Sequence, residues 1–467
     1  MKLYQRIEQI LLELRPVFSR EATFEWFLLL FWGVLWTTQP PGVTSYLNAL
    51  GLSESYYHQA LHWFHSSAFC VDSLCTVWGE WLSEHPDVER LQGGRLYVGD
   101  GIKVGKEGRK MPGVKGLHQE SSNVSKPEWI RGHYFSALGL LLGTGGALFA
   151  VPIVFKLHDG IEAVKTESPA LTLVDQMAAL CIRHMSAGSY VLLDAYYASA
   201  KVLQPFRQHG LHLISRVRIS TLAYAAFSPL PGKHGRGRPR KWGSAIQLRT
   251  LFAPKEACLK SVVWLYGQQT TVYYQCLECF WDSPDAAVLF VLTQLPNGKQ
   301  MILLSSDVTL SATQVIEAYG KRFKIEVCFR TLVHRLGGFT YQFWLKAMDK
   351  TSQFPSNLRL ADYPASVQRQ IQQKVEAFER FVNLNAIVLG ILQILALEQP
   401  QLVWKHFPRW FRTLPEHGHP TEQIVRITLQ HQLPMIFARS RPTLLLSQLL
   451  ADKIESPIPL NPLDSVT

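Results

Sequence analysis

Apolar residues recur at helical spacing over 4–14, and further helix-length apolar segments follow as far as Trp81, so residues 1–90 read as a helical region. From Arg95 the period changes. Short apolar runs of strand length appear at 96–99, on either side of the glycine turn Gly143–Gly146, at 190–193 and at 211–217, with helices predicted over 170–185 and 200–208. After a basic tract, the segments 246–252, 261–266, 270–280, 287–294 and 301–305 alternate or run apolar at strand length, split by turns such as Pro296-Asn297-Gly298. A helix is predicted to begin near Ser311, capped by Ser311 or Thr313, and a long apolar helix over 375–397 ends before Pro400.

Between 96 and 217 the order is strand, strand, strand, helix, strand, helix, strand, which is the order of a ribonuclease-H-like core. The fold class read from the pattern is therefore α/β: a ribonuclease-H-like catalytic core with a β-rich insertion, preceded by a helical N-terminal domain and followed by a helical C-terminal region. The boundaries are 1–90 for a helical N-terminal domain, 91–220 for the first part of the core and 221–305 for the basic loop and β-rich insertion. Residues 306–345 form the core helix that returns with an acid, and 346–467 a helical region that is a candidate for dimerisation.

Two apolar stretches invite a membrane reading. The run 24–36 is too short to cross a bilayer and reads as a buried helix, whereas 135–155 is long enough but carries the glycine turn in its middle and reads as two buried strands. No membrane association is expected. The chain of 467 residues carries 47 Lys+Arg against 36 Asp+Glu, a net charge of +11, which favours a polyanionic partner. Its 7 cysteines are odd in number and scattered from Cys70 to Cys328; a disulfide framework is not expected, and a reducing cytoplasm fits. Cys276-x-x-Cys279 lies in a strand-like run without a second ligand pair and reads as ordinary packing.

Within the first region, 43–64 has the outline of a helix-turn-helix, with a turn at Gly51 and Ser53 as N-cap ahead of Glu54. A DNA-reading unit and a structural helical hairpin both fit it. The tract 232–243 gathers Lys233, Arg236, Arg238, Arg240 and Lys241 with no acid among them, a density suited to DNA phosphates or to an Arg-Pro hook in a narrow minor groove.

Three acids stand out. Asp100 follows the strand Leu-Tyr-Val-Gly between two glycines, and Asp194 follows Tyr-Val-Leu-Leu. A carboxylate just past a strand end is exposed yet held rigidly, as a metal ligand must be; neighbouring strands would bring the two into one site. The third, Glu326, lies in a run that places Tyr319, Arg322, Glu326 and Arg330 three and four residues apart, on one stripe of a helix. Trp344 reads as a core aromatic in preference to a platform for stacking on an extruded base.

The segments YVGDG, LLDAYY and AYGKRFKIEVCFRTL resemble the acidic motifs of bacterial insertion-sequence DDE transposases. The particular resemblance is to the hairpin-forming cut-and-paste family (insertion-sequence family four type), whose third motif reads Tyr, two residues, Arg, three residues, Glu, six residues, Lys. Tyr319, Arg322 and Glu326 match in order and spacing, while Val333 stands where the family has Lys. The resemblance covers about 95–345. It implies that Asp100, Asp194 and Glu326 hold two Mg²⁺ ions, with Mn²⁺ as a substitute, roughly 4 Å apart. It also implies cleavage at transposon terminal inverted repeats and strand transfer into target double-stranded DNA by a homodimer. Tyr319 and Arg322 would hold the phosphate of a flipped terminal nucleotide, with Arg330 beside them. A ribonuclease-H-fold nuclease or resolvase that does not join ends, and a transposase-derived DNA-binding protein without catalysis, are the alternatives.

Overall fold

In the computed structural model the described residues are 2–119, 127–144, 146–162, 171–227, 241–283, 286–408, 418–437 and 444–455. Five helices open the chain: α1 (Lys2–Glu13), α2 (Glu21–Trp36), α3 (Val43–Ala49), α4 (Tyr57–Trp63) and α5 (Val71–Ser83). Strands β1 (Arg90–Leu91), β2 (Gly94–Gly105), β3 (Lys115–His118), β4 (Trp129–Thr144), β5 (Ala147–Leu157) and β6 (Ile161–Glu162) follow, then α6 (Leu173–His184), β7 (Tyr190–Leu193), α7 (Ala200–Gln208) and β8 (His212–Val217). The predicted strands and helices of this stretch form in the predicted order, with β3 and β6 as strands that were not expected.

Strands β9 (Leu222–Tyr224), β10 (Ala245–Gln247), β11 (Leu259–Leu265), β12 (Gln268–Ser283), β13 (Ala286–Gln294) and β14 (Gln300–Ser305) come next. They are not a separate layer. β14 pairs antiparallel with β8, so one 13-stranded sheet runs β10-β9-β12-β13-β14-β8-β7-β2-β4-β3, with β1, β5 and β11 attached at β2, β4 and β12. The chain then forms α8 (Ala312–Gly320), α9 (Lys324–Thr331), a π-helical turn Leu332–Leu336, β15 (Leu358–Arg359), α10 (Ala365–Glu398), α11 (Pro400–His406), α12 (Glu422–Phe437) and α13 (Leu445–Glu455).

Burial explains why the two apolar stretches are not membrane spans. From Phe24 to Trp36 nearly every residue of α2 is buried, and 135–155 is the β4–β5 hairpin. α10 begins ten residues ahead of the expected start, because 365–374 is polar but helical. It is long and apolar enough to cross a membrane, yet 94% of its most apolar stretch is buried in protein. One contiguous apolar core links Leu3 of α1 to Leu450 of α13, so the helical ends pack into the same interior as the sheet. Cys276 and Cys279 lie on β12, exposed and buried respectively, and both are free thiols; with a period of two, residues three apart face opposite sides of a strand.

Candidate active site

β2 and β7 are adjacent and parallel, in the register Leu96↔Tyr190, Tyr97↔Val191 and Val98↔Leu192. Continuing that register by two brings Asp100 and Asp194 side by side on one face, since side chains alternate with a period of two. Asp194 stands where expected, directly after β7, and opens a short 3₁₀ turn Ala195–Tyr197. Asp100 does not. It lies inside β2, whose pairing with β4 continues unbroken from Tyr97 to Gly105; the strand outlasts the run Leu-Tyr-Val-Gly because β4 supplies hydrogen-bond partners along its whole length.

The glycines around Asp100 do not make a turn. Neither adopts a left-handed conformation. A Cβ on Gly101 would lie 1.9 Å from the Tyr134 hydroxyl, and one on Gly99 would lie 2.8 Å from the Leu193 side chain. Tyr134 occupies the space at Gly101 and shares a 2.7 Å hydrogen bond with Tyr197, while Leu193 occupies the space at Gly99. The Asp100 charge helps hold both phenols above their ordinary pKa, chiefly a consequence of burial. The sequence reading passed over Tyr134 and Tyr197; the second tyrosine of LLDAYY was its available signal.

The third motif is two helices rather than one. α8 starts at a capping box in which Ser311 Oγ accepts from Gln314 N (3.3 Å) and Gln314 Oε1 accepts from Ser311 N (2.9 Å). It ends at Gly320, and α9 begins at Lys324. Across the break the bonds tighten to three-residue steps, Arg322 N to Tyr319 O and Ile325 N to Arg322 O. Tyr319 therefore ends α8, Arg322 occupies the break, and Glu326 lies in the first turn of α9.

Arg322 joins the acids. Its Nη1 donates to Asp100 Oδ2 at 2.8 Å, and its Nη2 pairs with Glu326 Oε1. Burial pushes the Asp100 carboxyl up to about 6; the Arg322 charge and the Gly101 N–H on Oδ1 (2.8 Å) oppose the rise, and the neighbouring Asp194 charge adds to it. Burial weakens the guanidinium charge of Arg322, but the charges of Asp100, Tyr319, Glu326 and Asp194 outweigh it and raise its pKa. Burial also raises Tyr319, with Asp194 adding while Arg322 and Arg216 of β8 pull the other way. Five of the predicted residues, Asp100, Asp194, Tyr319, Arg322 and Glu326, thus share one electrostatic neighbourhood, and Arg216 joins them unforeseen.

The carboxylate pair suits a divalent cation: two hard oxygen donors on rigid backbone, one with its charge disfavoured by burial. The third acid expected at this site does not join them. Among the described residues no three His, Cys, Asp or Glu side chains stand close enough to hold one ion, because Glu326 is turned onto Arg322.

Arg330 is exposed on α9. Val333 falls in the π-helical turn and packs partly against the core, so it does not extend the stripe toward the acids. Lys241 is exposed, while Lys233, Arg236, Arg238 and Arg240 lie outside the described residues. Trp344 is 71% exposed, against the expectation of a core aromatic. A cavity of about 640 Å³ lies beside the helix break, walled by Trp264 of β11, by Tyr266 from the β11–β12 turn and by Lys321, Phe323 and Lys324; the Tyr266 and Phe323 rings are 5.3 Å apart. In the first region α3 and α4 fall where the helix-turn-helix outline puts them, but Ser53 caps a 3₁₀ turn ahead of α4.

The family described as DDE superfamily endonuclease matches residues 13–276. The match takes in Asp100 and Asp194 and stops before Glu326. No curated protein matches the chain. Among solved structures, a cryo-EM structure of a piggyBac transposase synaptic complex with hairpin DNA is similar at 12% identity, over 96% of this chain and 79% of that one. Its TM-score of 0.36 is too low to bear on fold or function.

Proposed function

The chain belongs to the DDE superfamily endonucleases, and from that premise we propose that it is a DNA transposase, cutting transposon ends and joining them to target DNA on a ribonuclease-H-like core. The observation that carries this reading is the register of β2 against β7, which sets Asp100 beside Asp194, together with the Arg322 link from Asp100 to Glu326.

Asp100 and Asp194 would hold Mg²⁺, or Mn²⁺ in its place, and Glu326 would complete the set on leaving Arg322. Such ions, when bound, activate an attacking water or 3′-hydroxyl and stabilise the leaving oxygen of an in-line displacement. The rest falls to the chain's own groups. Asp100 is held in its strand by the unbroken pairing of β2 with β4, so it cannot drift as the DNA strand is exchanged. The Tyr134–Tyr197 pair packs against the adjoining Gly101.

Arg322, with Tyr319 ending α8 and Arg330 one turn beyond Glu326, would grip the terminal phosphates; the guanidinium fork matches a phosphate bidentately. The cavity between Trp264, Tyr266 and Phe323, not Trp344, is the aromatic surface for a base extruded at the end. Lys233, Arg236, Arg238, Arg240 and Lys241 would hold the duplex, with 1–90 reading the terminal repeat. We place the active form as a homodimer, acting in the bacterial cytoplasm.

Joining is the test. Incubated with Mg²⁺, a labelled DNA end and a second duplex, the protein should yield a covalently joined product. Cleavage without any joined product would leave a nuclease or resolvase instead.

A further inference from the structure

We propose that the Arg322 guanidinium is an internal cation that stands in for the metal until a DNA phosphate takes it over, so that divalent-ion binding and DNA binding are coupled through this one side chain. The inference rests on the metal-dependent reading above.

Three features carry it. First, one fork holds two of the three acids, Asp100 through Nη1 and Glu326 through Nη2; carboxylate lone pairs spent on a guanidinium are not free for an ion. Second, the partners differ in freedom. Asp100 is pinned in a strand with its side chain 22% exposed, whereas Glu326 is 57% exposed on the first turn of α9 and can rotate once released. Third, Arg322 sits in the break between α8 and α9, where a small change in backbone angles moves the fork without unfolding either helix.

A phosphate offers the fork the same bidentate geometry that the carboxylates do. Once the fork turns to it, Asp100 beside Asp194 loses the cation that offset its charge, and a half-buried acid pair without a counter-charge draws in another cation. Glu326 is freed in the same step. Because coupling between two ligands is reciprocal, metal loading should tighten DNA binding by the same factor. The site would thus stay unloaded away from DNA, which limits stray cleavage.

The test is a Mn²⁺ titration of the full chain, read by the electron paramagnetic resonance signal of free Mn²⁺, with and without a saturating short DNA duplex. Wild type should bind Mn²⁺ weakly alone and more tightly with DNA. Arg322→Ala and Arg322→Gln should each bind Mn²⁺ without DNA on the order of tenfold more tightly than wild type, and gain less from DNA. The Gln variant keeps a polar side chain in the break should the Ala variant misfold. If both variants bind Mn²⁺ in the absence of DNA no more tightly than wild type, or gain as much from DNA, the coupling is overturned. Failure of the underlying reading looks different: no Mn²⁺ bound by wild type even with DNA, or binding unchanged in Asp100→Asn.

Discussion

Nη1 of Arg322 lies 2.8 Å from Oδ2 of Asp100, an ion pair between residues 222 positions apart in the chain. It joins the break between α8 and α9 to the middle of a central strand, and it determines how the acidic site is arranged before any ligand arrives. Arg322→Ala should therefore slow the step after first-strand nicking more than nicking itself, because the phosphate grip is lost while the two aspartates remain. A denaturing gel of end-labelled DNA separates nicked strand, hairpin and double-strand break; equal loss of all three would make Arg322 a structural partner of Glu326.

Gly101 is held glycine by Tyr134. Gly101→Ala places a Cβ 1.9 Å from the Tyr134 hydroxyl, and overpacking of this kind typically costs about 1–3 kcal/mol. Thermal denaturation should show the loss, and Gly101→Ala combined with Tyr134→Ala should lose less than the sum of the two single changes. Strict additivity would mean that the two positions do not meet.

The order of elements in the core was legible in part. The alternation of strands and helices between 96 and 217 came through because buried strands are short, apolar and bounded by glycine, and the β-rich segments to 305 followed the same logic. What the pattern could not show was pairing: that β14 zips onto β8 and merges everything into one sheet depends on contacts distant in sequence. The same limit hid the glycine–tyrosine packing at Asp100, since Tyr134 lies on another strand. The break at 321–323 was missed because Tyr319, Arg322, Glu326 and Arg330 keep helical spacing through it, with no proline or cap to mark it.

Val333 tests the revised placement directly. The resembled family has Lys at the matching position, but here the side chain packs partly against the core from the π-helical turn. Val333→Lys should lower stability by on the order of 1 kcal/mol without speeding hairpin formation. Faster hairpin formation at unchanged melting temperature would place position 333 on the phosphate-binding face.

Acid stability should depend on Glu398, where α10 meets α1 and α5. Burial pushes its carboxyl up, but hydrogen bonds from Arg6 (2.8 and 2.7 Å) and from His85 (3.2 Å) outweigh that and draw it down to about 2. A depressed carboxylate stabilises the fold fully above its unfolded pKa of 4.5, and that stabilisation fades as pH falls toward 2. The full amount is about 3 kcal/mol. Glu398→Gln should flatten the fall in unfolding free energy across this window. An unchanged slope would remove Glu398 from the account.

The aromatic cavity beside the break predicts a spectroscopic signal. A 2-aminopurine at the terminal position of a DNA end should brighten on leaving the stack and be quenched again by Trp264 and Tyr266. Trp264→Ala with Tyr266→Ala should leave it bright; quenching as strong as in wild type would place the extruded base elsewhere.

The central claim is that Asp100, Asp194 and Glu326 act together on DNA, and cleavage of an end-labelled duplex in Mg²⁺ measures it most directly. Asp100→Asn, Asp194→Asn and Glu326→Gln should each retain DNA binding in a mobility-shift assay while cutting and joining fall by on the order of 10³-fold or more. Near-normal cleavage by any one of the three would contradict the claim.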